Sequence, residues 1–121
     1  WLALDESNKV NGGVFYFNNS HKIGLIEHKP SYAKGSSQTI KDIKKLKGLK
    51  KVYPKLEKGD VLIHHSQVVH GSQANKSKKP RTGLTFQFKT KKSKTDKKQL
   101  NTYLHQLKMQ ILRREKDCLI S

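Results

Sequence analysis

From Arg81 to Phe88 the chain alternates one for one: Leu84, Phe86 and Phe88 fall on one side, and Arg81, Gly83, Thr85 and Gln87 on the other. A period of two is the pleat of a β-strand, so Arg81–Thr90 is expected to be a strand with one face covered. A strand of this kind needs neighbours, and the rest of the chain offers several short ones. Trp1–Asp5 reads as a strand end with Trp1, Ala3 and Asp5 on one face and Leu2 and Leu4 on the other. Asn11-Gly12 is a strong hairpin-turn pair, which makes the β-branched and aromatic run Val14–Phe17 the expected returning strand. Lys51–Leu56 reads as a strand interrupted by Pro54, a residue that belongs at an edge because it cannot donate to a ladder. After the turn at Lys58-Gly59-Asp60 come a strand over Val61–His65 and a further extended piece over Gln67–Gly71.

Two segments carry helical spacing. In Thr39–Leu49, Thr39 is placed to cap and Ile40, Ile43 and Leu46 recur every third residue, so a short helix is expected. In Lys97–Glu115, Leu100, Tyr103, Leu104, Leu107 and Ile111 form one apolar stripe behind a capping residue, Asp96. Asn18–Ser37 has little periodicity and is expected to be an irregular excursion. The expected fold class is all-β, an antiparallel sandwich or open barrel followed by one α-helix. Residues 1–90 are expected to be the β domain, and residues 91–121 a charged linker and amphipathic helix.

Composition narrows the function. No apolar run approaches the roughly 18–20 residues of a membrane span. Cys118 is the lone cysteine, which excludes an internal disulfide and a multi-cysteine zinc site and fits a reducing, cytoplasmic setting. The chain opens on Trp1 and its sole methionine is Met109, so it is expected to be a piece of a longer protein. The formal charge is +17, yet arginine supplies only Arg81, Arg113 and Arg114 of the 26 basic residues. Lysines spread over loops read as a solvated surface. The shortage of arginine and of stacking aromatics speaks against nucleic acid as a partner.

The segment with chemistry in it runs from Gly59 to Arg81. A strand delivers His70, a Gly71-Ser72 turn follows, and Arg81 opens the next strand, eleven residues after His70. If the two strands are antiparallel neighbours, His70 and Arg81 can face one cavity. A neutral imidazole is a good ligand for a divalent transition metal. An arginine holds a carboxylate bidentately, and the Ser72 hydroxyl can add a hydrogen bond to it. His65 lies in the same neighbourhood, with a supporting or packing role expected. His64 is expected on the opposite face from His65, and Asp60 is expected to stabilise its turn.

This stretch resembles the distal half of the phytanoyl-CoA dioxygenase family. There a Gly-Asp turn, a strand ending in histidine, a His-Gly-Ser turn and an arginine at the same spacing recur. Trp1–Asp5, Asn11-Gly12 and Asn18-Asn19-Ser20-His21-Lys22 resemble upstream elements of that family, with Asn18-Asn19 where its Pro-Gly stands. The resemblance covers roughly Trp1 to Phe88. It implies the distal part of a double-stranded β-helix, a cupin-like jelly roll. It implies Fe(II) as metal and 2-oxoglutarate as co-substrate, with O2 and a small organic substrate as reactants and succinate and CO2 as products. By the same match His70 is the distal metal ligand, Arg81 grips the far carboxylate of 2-oxoglutarate with help from Ser72, and Trp1 lies beside the co-substrate.

The family also holds its iron with a His-x-Asp pair, and none of the six histidines here has an acid two places on. That motif is expected upstream of Trp1, and the isolated chain is expected to be inactive. Two other classes compete: a lysine-rich polyanion-binding module, whose binding would weaken steeply with salt, and a cupin-like metal-binding protein without oxygenase activity.

Overall fold

The computed structural model describes residues 1–31 and 38–120, with side chains described throughout except at 114 and 116–120. These residues divide into two compact units, Trp1–Leu25 with Ile43–Phe88 and Ile26–Asp42 with Lys89–Ser121. The chain is broadly β-rich, built of small antiparallel sheets with one C-terminal helix.

In the first unit, β1 (Leu2–Ala3) pairs with β7 (Gly83–Leu84), with Leu2 opposite Leu84 and Ala3 opposite Gly83. The other edge of β1 is also occupied. Ala3 N donates to Asp60 O (2.9 Å), Gly59 N to Ala3 O (2.8 Å) and Leu62 N to Trp1 O (2.8 Å). Ala3 is therefore enclosed on both sides and fully buried. The turn that feeds this edge is closed by its own acid, since Asp60 Oδ2 accepts Glu57 N at 2.8 Å while Gly59 takes φ +96°.

A second sheet sets β2 (Phe15–Phe17) between β5 (Lys51–Val52) and β6 (His70–Gly71). Its register sorts the side chains. Phe15 stands opposite Gly71 and Phe17 opposite Lys51, while Tyr16 stands opposite both Val52 and His70. One face is thus aromatic and cationic. Lys51 Nζ lies 3.6 Å from the Phe15 ring centre, and Phe15 packs against Phe17 and Tyr53 at 5.9 and 5.6 Å. The other face carries Tyr16, Val52 and His70. Pro54 follows β5, an edge strand, where its missing donor costs no ladder bond.

The hairpin expected between Trp1–Asp5 and Val14–Phe17 does not form, because β2 pairs with β5 and β6 instead. The reason lies in the intervening loop. Asn8 Oδ1 accepts Val10 N and Asn11 N (2.9 and 3.2 Å), Asn11 Oδ1 accepts Asn8 N (2.8 Å), and Asn11 Nδ2 donates to Glu6 O (2.7 Å). These bonds wind Glu6–Gly13 into a closed loop in place of a two-residue turn. Gly12, at φ +76°, sits under the backbone of Gln73 and Asn75, where a Cβ would come within 2.7 Å of Gln73 O.

Three other expectations are corrected. Arg81–Thr90 pairs only at Gly83–Leu84, because its partner β1 is itself two residues long, and Phe86 and Phe88 stand exposed (58% and 94%). Val61–His65 is not a continuous strand: it bridges only through Val61 to Leu2. Thr39–Leu49 is not an α-helix: it divides between a strand and a 3-10 turn, Ile43–Leu46, that buries Leu46. A spacing of three matches the three residues per turn of a 3-10 helix, and Gly48 then ends it at φ +84°.

The second unit pairs β3 (His28–Pro30) with β4 (Gln38–Ile40) and sets them with α1 (Lys97–Ile120). The excursion expected over Asn18–Ser37 contains the 3-10 turn Ser20–Ile23 and β3, and part of it lies outside the described residues. Asp96 caps α1 as its spacing requires, with Oδ1 accepting Gln99 N at 3.0 Å. Replacing Asp96 by alanine is expected to remove about 1 kcal/mol of helix stability, read as a lower midpoint of the helical circular-dichroism signal on heating. The covered face of α1 is rotated from the expected stripe. Tyr103, Gln106 and Leu107 are half-buried and Gln110 is buried, whereas Leu100, Leu104 and Ile111 are exposed. Gln38 Nε2 reaches Gln106 Oε1 at 3.4 Å, so polar side chains take part in this contact. Among the described residues no helix is long and apolar enough to cross a membrane.

Candidate functional site

Tyr16 and His70 are cross-strand neighbours on one face of the central sheet, and their rings stack with centres 5.7 Å apart. His64 joins them from the segment that follows the Asp60 turn, 5.2 Å from Tyr16 and 5.0 Å from His70. Burial pushes the Tyr16 phenol up from its ordinary value, because the phenolate would lose hydration there. Beside Tyr16 opens a cleft of about 390 Å³ whose lining includes Val52, Leu62, Ile63, His64 and His65.

Local hydrogen bonds orient each ring. His70 Nδ1 lies 3.0 Å from Val68 O, and His64 Nδ1 lies 3.2 Å from His65 O. A carbonyl only accepts, so in each neutral ring Nδ1 carries the proton and Nε2 keeps the free lone pair. His65 is the reverse: its Nδ1 accepts Gln67 N at 3.1 Å, which leaves the neutral ring's proton on Nε2. His65 also turns away toward His21, at 5.6 Å. The histidine against His70 is therefore His64, with His65 closing the turn that leads to β6. That turn is fixed from a distance as well, since fully buried Ser20 accepts Val69 N through Oγ at 2.8 Å.

Arg81 lies on the other small sheet, at the entry to β7. It is half-buried, and its Nε is enclosed with no hydrogen-bond partner. Trp1 packs against Gly83, two residues further on, so closely that a Cβ at Gly83 would overlap the indole. Asp5 holds the same entry, with Oδ2 accepting Thr82 N at 3.0 Å, and Leu4 N donates to Thr82 O at 3.0 Å. Trp1 and Arg81 are thus brought to one strand entry, whereas His70 stands on the neighbouring sheet and Ser72 is exposed in the connection between them. Asp5 was not singled out among the expected site residues; its place on one face with Trp1 and Ala3 was the available signal.

The hydrogen bonds from Thr82, aided by the Lys58 charge, hold the Asp5 carboxyl below its ordinary value of 3.8. A depressed folded-state pKa adds stability that is present above the ordinary value and lost as pH falls through the depressed one. Asp5→Asn is expected to flatten that acid limb of the stability profile, measured as urea midpoint against pH.

Among the described residues no group of three His, Cys, Asp or Glu is gathered to hold a metal. The described donors therefore do not by themselves fit a complete iron centre of two imidazoles and a carboxylate.

The family model for phytanoyl-CoA dioxygenase matches residues 1–83, a span that includes Trp1, His70, Ser72 and Arg81. The chain belongs to the phytanoyl-CoA dioxygenase family. Searches of curated proteins and of solved structures give no match.

Proposed function

We propose that this chain is the distal part of the double-stranded β-helix of an iron(II)/2-oxoglutarate dioxygenase, which hydroxylates a small organic substrate and releases succinate and CO2. On this reading residues 1–90 complete the catalytic domain, residues 91–121 are an appendage to it, and the protein works in a reducing, cytoplasmic setting. The observation that carries the reading is the enclosed, unpartnered Nε of Arg81 inside the family-matched segment. A buried guanidinium donor without a partner costs free energy, and a carboxylate supplies the missing acceptor with bidentate geometry.

The family resemblance supplies the roles. Arg81 binds the far carboxylate of 2-oxoglutarate, and Ser72 donates a second hydrogen bond to it. Asp5 holds the Thr82 amide and so fixes the strand entry from which Arg81 projects. Trp1, packed against Gly83 two residues from Arg81, lies beside the co-substrate. His70, with Nδ1 tied to Val68 O, offers Nε2 as the distal imidazole. His65 supports His70 through the turn between them. No His-x-Asp pair occurs in these 121 residues, so the reading requires such a segment outside them.

The test is succinate release from 2-oxoglutarate by a protein that carries this chain behind such a segment. Turnover that needs iron(II), oxygen and 2-oxoglutarate together is expected. A pure, folded protein with a complete His-x-Asp that binds no 2-oxoglutarate would sink the reading.

A further inference from the structure

The second unit carries a surface beyond the family-matched span, and the dioxygenase reading does not use it. Lys89, Lys91, Lys92, Lys94, Lys97 and Lys98 crowd the stretch that leads into α1 and opens it. All six are exposed, and the acid among them, Asp96, is engaged in capping the helix. Further along α1, Leu100, Leu104 and Ile111 recur at spacings of four and seven, which keeps them on one face. They stay 41%, 50% and 47% exposed, because Tyr103, Gln106, Leu107 and Gln110 form the covered face instead. Lys97 and Lys108 share the exposed face, one turn before Leu100 and one turn after Leu104, and Glu115 follows one turn after Ile111. The result is an apolar strip about 16 Å long, set between cations and continuous with a run of lysine.

From these observations we infer that the lysine run from 89 to 98 and the Leu100, Leu104 and Ile111 strip of α1 form a docking surface for an anionic lipid bilayer. The helix lies in the plane of the headgroups, with its strip at the acyl boundary and its lysines among the phosphates. Charge and shape select this occupant. A second copy would bring its own excess of lysine to a chain already at +17. Nucleic acid would satisfy the lysines but not the leucines, and residues 89–98 contain no arginine for bidentate contacts. A protein groove would have to wrap the helix, and one flank of α1 is already held against β3 and β4, where Gln106 meets Gln38. A flat surface that is anionic outside and apolar beneath meets the strip and the lysines together. The inference goes beyond the proposed function and needs neither iron nor 2-oxoglutarate.

The experiment sediments the 121-residue chain with vesicles of phosphatidylcholine alone and of an equimolar mixture with phosphatidylserine. Binding to the mixed vesicles is expected to be tighter by a factor of ten or more, and to weaken as salt rises. Each basic residue near an anionic surface strengthens binding about fivefold, so changing Lys91, Lys92 and Lys94 together to Gln should cost about a hundredfold. Changing Lys45, Lys47 and Lys55 of the first unit to Gln removes the same charge elsewhere and should cost a few-fold at most. Changing Leu100, Leu104 and Ile111 to Gln leaves the charge and the helix propensity in place and should weaken binding about tenfold or more. Leu104→Glu, a single change at the most exposed of the three, should act in the same direction with the circular-dichroism spectrum preserved. Equal binding to both kinds of vesicle, equal losses from the two lysine sets, or parent-like binding by both the Gln strip variant and Leu104→Glu would overturn the inference. So would duplex DNA that strips the chain from mixed vesicles at equal charge, because the surface would then be a general polyanion site.

Discussion

Arg81→Ala, introduced into a protein that carries this chain behind a His-x-Asp segment, is expected to raise KM for 2-oxoglutarate by about two orders of magnitude. Truncating one partner of a desolvated, hydrogen-bonded charge pair costs about 2–5 kcal/mol, and each 1.4 kcal/mol is about tenfold. The Nε of Arg81 is already enclosed without a partner, so the co-substrate carboxylate gains a donor that has been stripped of water beforehand. Most of the loss should appear in KM, because the carboxylate contact is made equally in the ground and transition states. Arg81→Lys should recover only part of it, since an ammonium cannot reproduce the planar two-donor fork. Steady-state succinate release at varied 2-oxoglutarate reads both effects. An unchanged KM in Arg81→Ala would remove the arginine from the co-substrate site.

Gly83→Val should destabilise the first unit by about 1–3 kcal/mol, the usual cost of forcing extra atoms into occupied space. The cause is purely steric. Gly83 does not have a positive φ, but the Trp1 indole fills the place of its Cβ. Gly24 is the counter-case. It sits at φ +83° with nothing within 4 Å of its would-be Cβ, so Gly24→Ala tests backbone strain without overlap. A double-mutant cycle separates the contact from the rest: in a Trp1→Ala background Gly83→Val should lose most of its cost, and the Gly24→Ala cost should not change. Urea unfolding supplies the free energies. An additive cycle at Trp1 and Gly83 would mean that the indole is not what limits position 83.

The features legible in the sequence were those set by neighbours along the chain. The Asp96 cap, the start of the last helix at Lys97, the aromatic strand around Phe15–Phe17 and the Asp60 turn all rest on residues within three or four positions of one another. Where the reading failed, partners far apart in the chain decided the outcome. Alternation over Arg81–Phe88 specifies which side chains share a face, but strand length depends on the partner, and β1 offers only Leu2 and Ala3. The Asn11-Gly12 pair favours a two-residue turn in isolation. Here the Asn8 and Asn11 side chains outcompeted it by bonding the loop's own backbone.

The same division runs through the candidate site. The spacing from His70 to Arg81 could be read because its residues lie in one short segment, but the antiparallel pairing expected of their strands does not form: β6 pairs with β2 and β7 with β1. The residues that arrange the site could not be read. Asp5 reaches Thr82, and Ser20 reaches Val69, across long loops that no periodicity records. His64 and His65 are adjacent in sequence and alike in type, and only the hydrogen bonds of their Nδ1 atoms show which of them meets His70.

The most direct measurement compares succinate release by three purified proteins supplied with iron(II), 2-oxoglutarate and oxygen: a longer protein that carries this chain behind a His-x-Asp segment, its His70→Ala variant, and the 121-residue chain alone. One imidazole cannot stand in for a facial set of two imidazoles and a carboxylate, because metal affinity depends on ligand number and charge. The longer protein should turn over, and the other two should release no succinate above the metal-free background. Undiminished turnover in His70→Ala, or iron-dependent turnover by the 121-residue chain that is lost on His70→Ala, would show that the ligand assignment is wrong.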